Sequence, residues 1–149
     1  MQQRFSILAL ALDDEHERLG WGSAPRLYGV LADFTWRHLD EGDPYTMLDL
    51  FRLLPDEEYV GLALVCEGWA APLDDTVARP SRHPRRERIR SIAVAGARGT
   101  VVTTLRRRGR SAELLSGGEG RLLTRLVETA ATLRPCPGAG DFHEPPSAA

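Results

Sequence analysis

Two short stretches carry the side chains best suited to chemistry. Glu67 and Trp69 stand at the end of an alternating apolar run. Ser81, His83 and Arg86 follow a loop that contains several prolines. Together these residues could form a small anion site. The Trp69 indole would form its wall, the Arg86 guanidinium would hold an anion through two N–H groups, and the His83 imidazole would exchange a proton. In the structural alternative, which we favour, Ser81 and His83 cap the loop backbone and Glu67 neutralises an arginine across the sheet.

The pattern E-x-W, a proline-containing loop and S-x-H-P-x-R before a strand resembles a group of small uncharacterised proteins of actinobacteria and their phages. Gly20-Trp21 followed by Pro-Arg-Leu-Tyr at 25–28 shares the resemblance, which spans residues 20–95. It implies a compact soluble domain and draws attention to the five residues named above. The group carries no assigned activity that could be transferred to this chain.

The charges of the chain are strongly separated along the sequence. The net charge is only -2, yet residues 1–78 hold 5 arginines and 15 acids, whereas residues 79–110 hold 11 arginines and the single acid Glu87. Like charges at this density repel each other unless an anion compensates them. We therefore expect a contact surface on an arginine-rich hairpin. The candidate arginines are Arg86, Arg88, Arg90, Arg106, Arg107 and Arg108.

The charge pattern leads to three functional hypotheses. We favour a non-catalytic binding or accessory protein that contacts an acidic protein partner, or another copy of itself as a homodimer, through the hairpin. The first alternative is nucleic-acid binding through phosphates. A pI near 6.1 and the lack of aromatic residues among the arginines argue against it. The second is a small enzyme that acts on an anionic substrate where Trp69, His83 and Arg86 meet.

Several common sites and cofactors are excluded by the motifs. The chain has no lysine and hence no P-loop, and it contains neither G-x-S-x-G nor H-E-x-x-H. Cys66 and Cys136 do not form a C-x-x-C pair, so we expect no metal, no cofactor and no disulfide framework. His16, between Glu15 and Glu17, is expected on a solvated helix face. The lack of a disulfide framework favours the reducing cytoplasm, and no apolar run reaches the ~20 residues of a membrane helix, so we expect no membrane contact.

Periodicity and turn residues predict the elements that must position these side chains. Apolar spacing indicates a helix over 2–19, and a T-x-x-D capping box at Thr46 and Asp49 indicates a short helix over 47–54. A C-terminal helix is predicted after a second capping box, at Ser116 and Glu119, and it extends to residue 134. Residues 135–149 are rich in proline and glycine and read as a disordered tail.

Strands account for most of the remaining chain. They are predicted over 26–34, 59–69, 88–95, 100–107 and 110–115, with the run 59–69 at the centre of the sheet. A loop rich in Asp and Gly is predicted after residue 34, and a long connection over 70–84. This order predicts a single α+β domain over 1–134, with a mostly antiparallel sheet of four to five strands and the three helices packed on one face.

Overall fold

The structure, a computed structural model, describes residues 1–51, 58–71, 80–115 and 118–134. Its elements follow in chain order. They are α1 (Gln2–Leu19), β1 (Arg26–Val30), β2 (Trp36–Glu41), α2 (Pro44–Leu50), β3 (Gly61–Ala70), a 3-10 helix (Pro80–Arg82), β4 (Glu87–Gly96), β5 (Val101–Arg107), β6 (Ala112–Leu115) and α3 (Arg121–Ala130).

The strands form one antiparallel sheet in the order β2-β1-β3-β4-β5-β6. Strands β3 and β4 pair over ten residues each, so they form the long centre of the sheet, as the alternating run 59–69 predicts. The β4–β5 turn contains Gly99 at φ +94° and the β5–β6 turn contains Gly109 at φ +83°. Both turns need a backbone angle that side chains disfavour, which glycine supplies.

Alternating residues of the central strands supply two separate cores. Ala63 and Val65 of β3 pack with Phe5 and Leu12 of α1 on one side of the sheet, hereafter the α1 face. The opposite face carries Leu62 and Leu64 of β3 with Met47 and Leu48 of α2 and Leu126 and Ala130 of α3. This period-two division is the expected result of burying both faces of a strand.

Two glycines mark places where side chains come very close to the backbone. A Cβ on Gly96 would lie 2.7 Å from the Phe5 ring, and a Cβ on Gly29 would lie 2.4 Å from the Tyr59 ring. Neither contact is sterically possible without displacing an aromatic ring that is itself buried. Phe5 therefore docks α1 onto the end of β4, and Tyr59 docks the chain before β3 onto β1.

The α+β class and the antiparallel sheet are confirmed, with two corrections. The sheet has six strands, where four to five were expected. The helices lie on both faces, where one face was expected, because β3 and β4 present apolar residues on both sides.

The extra strand arises within the region expected to be a loop. The expected strand over 26–34 ends at Val30, because Phe34 adopts φ +63° and turns the chain back into β2. Strand β2 lies at the edge of the sheet, and its polar residues Arg37, His38 and Glu41 are exposed. Apolar patterning does not report a strand of this kind.

Local details at the helices also differ from expectation. Helix α2 is capped by Asp43, whose carboxylate accepts from the Thr46 backbone N–H at 2.9 Å, with Pro44 in the first turn. Helix α3 starts after Gly120 and ends at Ala130, four residues before the expected end. Ser116 of the expected second capping box and the tail over 135–149 lie outside the described residues. Across the described part of the chain, no helix is long and apolar enough to cross a membrane.

Candidate binding surface at the basic end of the sheet

Arg90 is the largest fully buried side chain of the described residues. It lies on the α1 face of β4, where its Nη1 donates to Glu17 at 2.8 Å and to Asp13 at 3.3 Å, and its Nη2 donates to the His16 carbonyl at 3.3 Å. The Trp21 ring lies 4.4 Å from the guanidinium carbon. A buried cation requires this many partners, because leaving a charge unpaired in the interior costs several kcal/mol (about 3–5).

Arg106 on β5 joins the same network. Its Nε donates to the second Asp13 oxygen at 2.7 Å, and the Asp13 side chain is only 1% exposed. Asp13 therefore receives one arginine from each of two neighbouring strands. Arg90 and Arg106, both expected in the contact surface, are instead structural residues, because α1 neutralises and covers them.

His16 lies in the same buried region, and the expectation of a solvated position is wrong. Its Nε2 lies 2.8 Å from the Tyr28 hydroxyl, and its ring is 1% exposed. Burial, assisted by the charges of Arg90 and Arg26, lowers the pKa of His16 to about 4. The imidazole is therefore neutral near pH 7, which allows it to lie beside two arginines.

Glu67 links three parts of the chain. Its carboxylate accepts from the backbone N–H groups of Gly22 at 2.7 Å and Ser23 at 3.2 Å. It also accepts from Arg88 Nη2 at 2.7 Å. The Glu67 side chain is 5% exposed, so this carboxylate is an internal partner for Arg88. The structural interpretation of Glu67, neutralisation of an arginine across the sheet, is thereby supported.

Trp69 carries two arginines on its ring. The guanidinium carbons of Arg86 and Arg88 each lie 4.9 Å from the ring centroid, a cation–π distance. Arg86 also donates from Nη1 to the His83 carbonyl at 3.2 Å. His83 is 2% exposed, and its Nδ1 accepts from the Arg85 backbone N–H at 3.0 Å. His83 thus shapes the 83–86 turn, the structural role expected of it.

Five further arginines of the 79–110 segment are exposed at one end of the sheet. Arg108 donates its backbone N–H to the Arg88 carbonyl at 2.9 Å, which places the β5–β6 turn beside the start of β4. Glu87 lies between them and pairs with Arg107 at 3.0 Å and Arg110 at 3.7 Å. We name this surface the basic end; its exposed members are Arg82, Arg85, Arg86, Arg108 and Arg110.

A concave feature lies on the face of the sheet opposite α1. A groove of about 330 Å³ runs between α3 and the sheet, with Leu64, Leu105 and Leu122 among its mainly apolar lining residues. Cys66 also lines it, and burial raises the pKa of this thiol to about 11. The thiol is therefore protonated near pH 7. Among the residues that the structure describes, no cluster of three or more metal-ligating side chains occurs.

The predicted site residues separate into three groups. Trp69, His83, Arg86 and Arg88 come together at the basic end, with Glu67 behind them. Arg107 is the last residue of β5 and Arg108 lies on the turn that follows, and Ser81 is exposed on the 3-10 helix. Arg90 and Arg106 belong to the buried network.

Sequence reasoning missed the carboxylates of that network. Asp13 and Glu17 were not identified there as the partners of Arg90 and Arg106. One signal could have revealed them, because Arg88 and Arg90 share strand parity with the apolar Ile92 and Val94 and so had to face inward.

Comparison with protein-family models, with curated proteins and with solved structures found no match to this chain. The resemblance to small actinobacterial and phage proteins therefore stays a prediction.

Proposed function

We propose that this chain is a non-catalytic binding protein whose basic end recognises an acidic surface of a protein partner. The observation that carries the proposal is the division of the arginines into two populations. Arg90 and Arg106 are neutralised by α1, whereas Arg82, Arg85 and Arg108 are exposed and pair with no carboxylate of the described residues. The charge needed for folding is thus separate from the charge available for contact.

An exposed group of like charges destabilises the isolated protein and favours an oppositely charged partner. With the half-buried Arg88 and Arg107 added to its five exposed members, the basic end holds seven arginines; Arg107 and Arg110 share Glu87, and Arg88 is paired with Glu67. Such a surface steers encounters with an acidic partner and makes the association sensitive to salt. Arginine and tryptophan are also the residue types that contribute most often to binding energy at interfaces.

A direct test uses a fluorescein-labelled peptide of alternating glutamate and glycine, with fluorescence anisotropy as the readout. We expect binding at low salt that weakens steeply as salt is added. The double variant Arg82→Gln/Arg108→Gln should weaken binding by about fivefold, since two exposed charges are worth about 1 kcal/mol together. The matched control, Arg18→Gln/Arg121→Gln, removes two exposed arginines elsewhere and should leave the affinity unchanged.

Two outcomes would contradict the proposal. Equal weakening by the two double variants would mean that the location of the arginines has no importance. Tight binding to duplex DNA with no binding to the peptide would instead favour a phosphate ligand, with a log–log salt slope of about 0.9 per phosphate contact. Sedimentation of the chain alone at low and high salt tests whether the acidic partner is a second copy.

A further inference from the structure

Trp69 contacts two arginines at the same distance, but only one of them has an anionic partner. Arg86 and Arg88 both lie 4.9 Å from the ring centroid. An arginine that contacts an aromatic ring through its face retains its in-plane N–H groups for hydrogen bonds. Each of these two guanidinium groups therefore keeps N–H groups that can donate to a carboxylate.

The N–H groups of Arg88 already bind a carboxylate of the same chain. Glu67 Oε1 accepts from Arg88 Nη2 at 2.7 Å, and the Arg88 side chain is 27% exposed. The carboxylate is fixed in turn by the backbone N–H groups of Gly22 and Ser23. The structure therefore contains one complete example of a carboxylate bound to an arginine on the Trp69 ring.

Arg86 also contacts the Trp69 ring, but no carboxylate of the described residues binds it. Arg86 is exposed, donates from Nη1 to the His83 carbonyl, and pairs with no carboxylate among the described residues. His83 is buried, so the carbonyl that orients Arg86 belongs to a fixed turn. A side chain that is ordered before binding loses less conformational entropy when the ligand arrives.

We infer that Arg86, supported by Trp69, is the receptor for an acidic side chain of the partner, which takes on Arg86 the place that Glu67 takes on Arg88. This inference rests on the proposed function and specifies its ligand as a carboxylate. Arg82 and Arg85 flank the receptor and add long-range attraction, whereas Arg86 supplies the directed contact.

The test compares two neighbouring exposed arginines with the glutamate–glycine peptide. Arg86→Lys keeps the charge but loses the planar fork and its contact with the indole, and we expect affinity to fall about tenfold. The matched control, Arg85→Lys, changes an arginine whose only hydrogen bond in the described structure comes from its backbone, and we expect less than a twofold change. Circular dichroism verifies that both variants retain the fold.

A spectroscopic readout distinguishes a directed contact from general attraction. Binding of the peptide should change the tryptophan emission of the wild-type protein, and the change should be lost in Trp69→Phe, which keeps an aromatic ring, and in Arg86→Lys. The other two tryptophans remain as an internal reference.

The outcomes separate this inference from the function on which it rests. If Arg85→Lys and Arg86→Lys weaken binding equally, the Arg86 receptor is refuted while the basic end still binds acidic peptides. If the wild-type protein does not bind the peptide at low salt, both proposals are refuted. A phosphoserine peptide of matched length forms the last arm; if Arg86→Lys weakens phosphopeptide binding alone, the carboxylate assignment is wrong.

Discussion

Protonation of His16 is expected to make the protein less stable in mild acid. The ring is buried against Tyr28, and burial together with Arg90 and Arg26 lowers its pKa from 6.5 to about 4, while Glu67 and Asp13 oppose the shift. In the unfolded chain the same imidazole titrates near its ordinary value. Between these two pKa values the unfolded chain binds a proton that the folded protein does not bind. The free energy of unfolding must therefore fall as the pH falls through this window.

The size of the effect follows from the two pKa values. One pKa unit corresponds to about 1.4 kcal/mol, so complete protonation of the unfolded chain alone would cost about 3 kcal/mol. At about pH 4.5 the folded protein already takes up some of the proton, and at about pH 7 the folded protein binds almost none while about a quarter of the unfolded chains still bind it. The expected contribution of His16 to the loss of stability between these pH values is therefore about 2 kcal/mol.

The assay is urea unfolding, followed by circular dichroism, at a series of pH values. His16→Gln keeps a group that can hydrogen bond to the Tyr28 hydroxyl but does not titrate, so its stability should fall less by about 2 kcal/mol over the same range. His38→Gln is the control, because His38 is exposed on the edge strand beside the same tyrosine ring. If the free energy of unfolding falls equally with pH in the wild-type protein and in His16→Gln, protonation of His16 is not the cause of the acid destabilisation.

Two further substitutions test the packing and the buried charges. Gly29→Ala should lower the free energy of unfolding by about 1–3 kcal/mol, because its Cβ would collide with the Tyr59 ring. In the control Gly68→Ala the added Cβ enters open space and should have little effect. Equal melting temperatures for the two variants would contradict this packing. Arg90→Met removes the buried cation that pairs with Asp13 and Glu17, leaves the buried Asp13 with Arg106 alone, and should cost about 3 kcal/mol in urea unfolding. The control Arg125→Met removes an exposed ion pair and should cost less than about 1 kcal/mol. A larger loss of stability in Arg125→Met than in Arg90→Met would show that the buried network is not stabilising.

The sequence predicts the fold well wherever local periodicity is strong. Helix α1 has the predicted bounds, because its apolar spacing is regular and Gly20 ends it at φ +92°. The β4–β5 hairpin was found from alternation and from the glycines of its turn. Strand β2 was missed, since its edge position exposes Arg37 and His38 and removes the apolar alternation on which the prediction depended.

The candidate site was predictable only in part, and the reason is sequence distance. Trp69 and Arg86 could be brought together because β3 leads into the connection that ends at Arg86. The partners of Arg90 lie in α1, more than 70 positions earlier in the sequence. No local pattern indicates which acid will pair with which arginine. The division of the arginines into buried and exposed groups therefore needed the three-dimensional structure.

The bond between Arg90 and Asp13 also has a consequence for the order of events during synthesis. The two residues are 77 positions apart. At a synthesis rate of about 5–20 residues per second, the ribosome needs about 4–15 s to supply Arg90 after Asp13 has been made. Throughout that interval the newborn N-terminal helix carries its carboxylates without their eventual counter-ions and its apolar stripe without a sheet to cover it, so the nascent polypeptide passes through a period in which a chaperone can bind it.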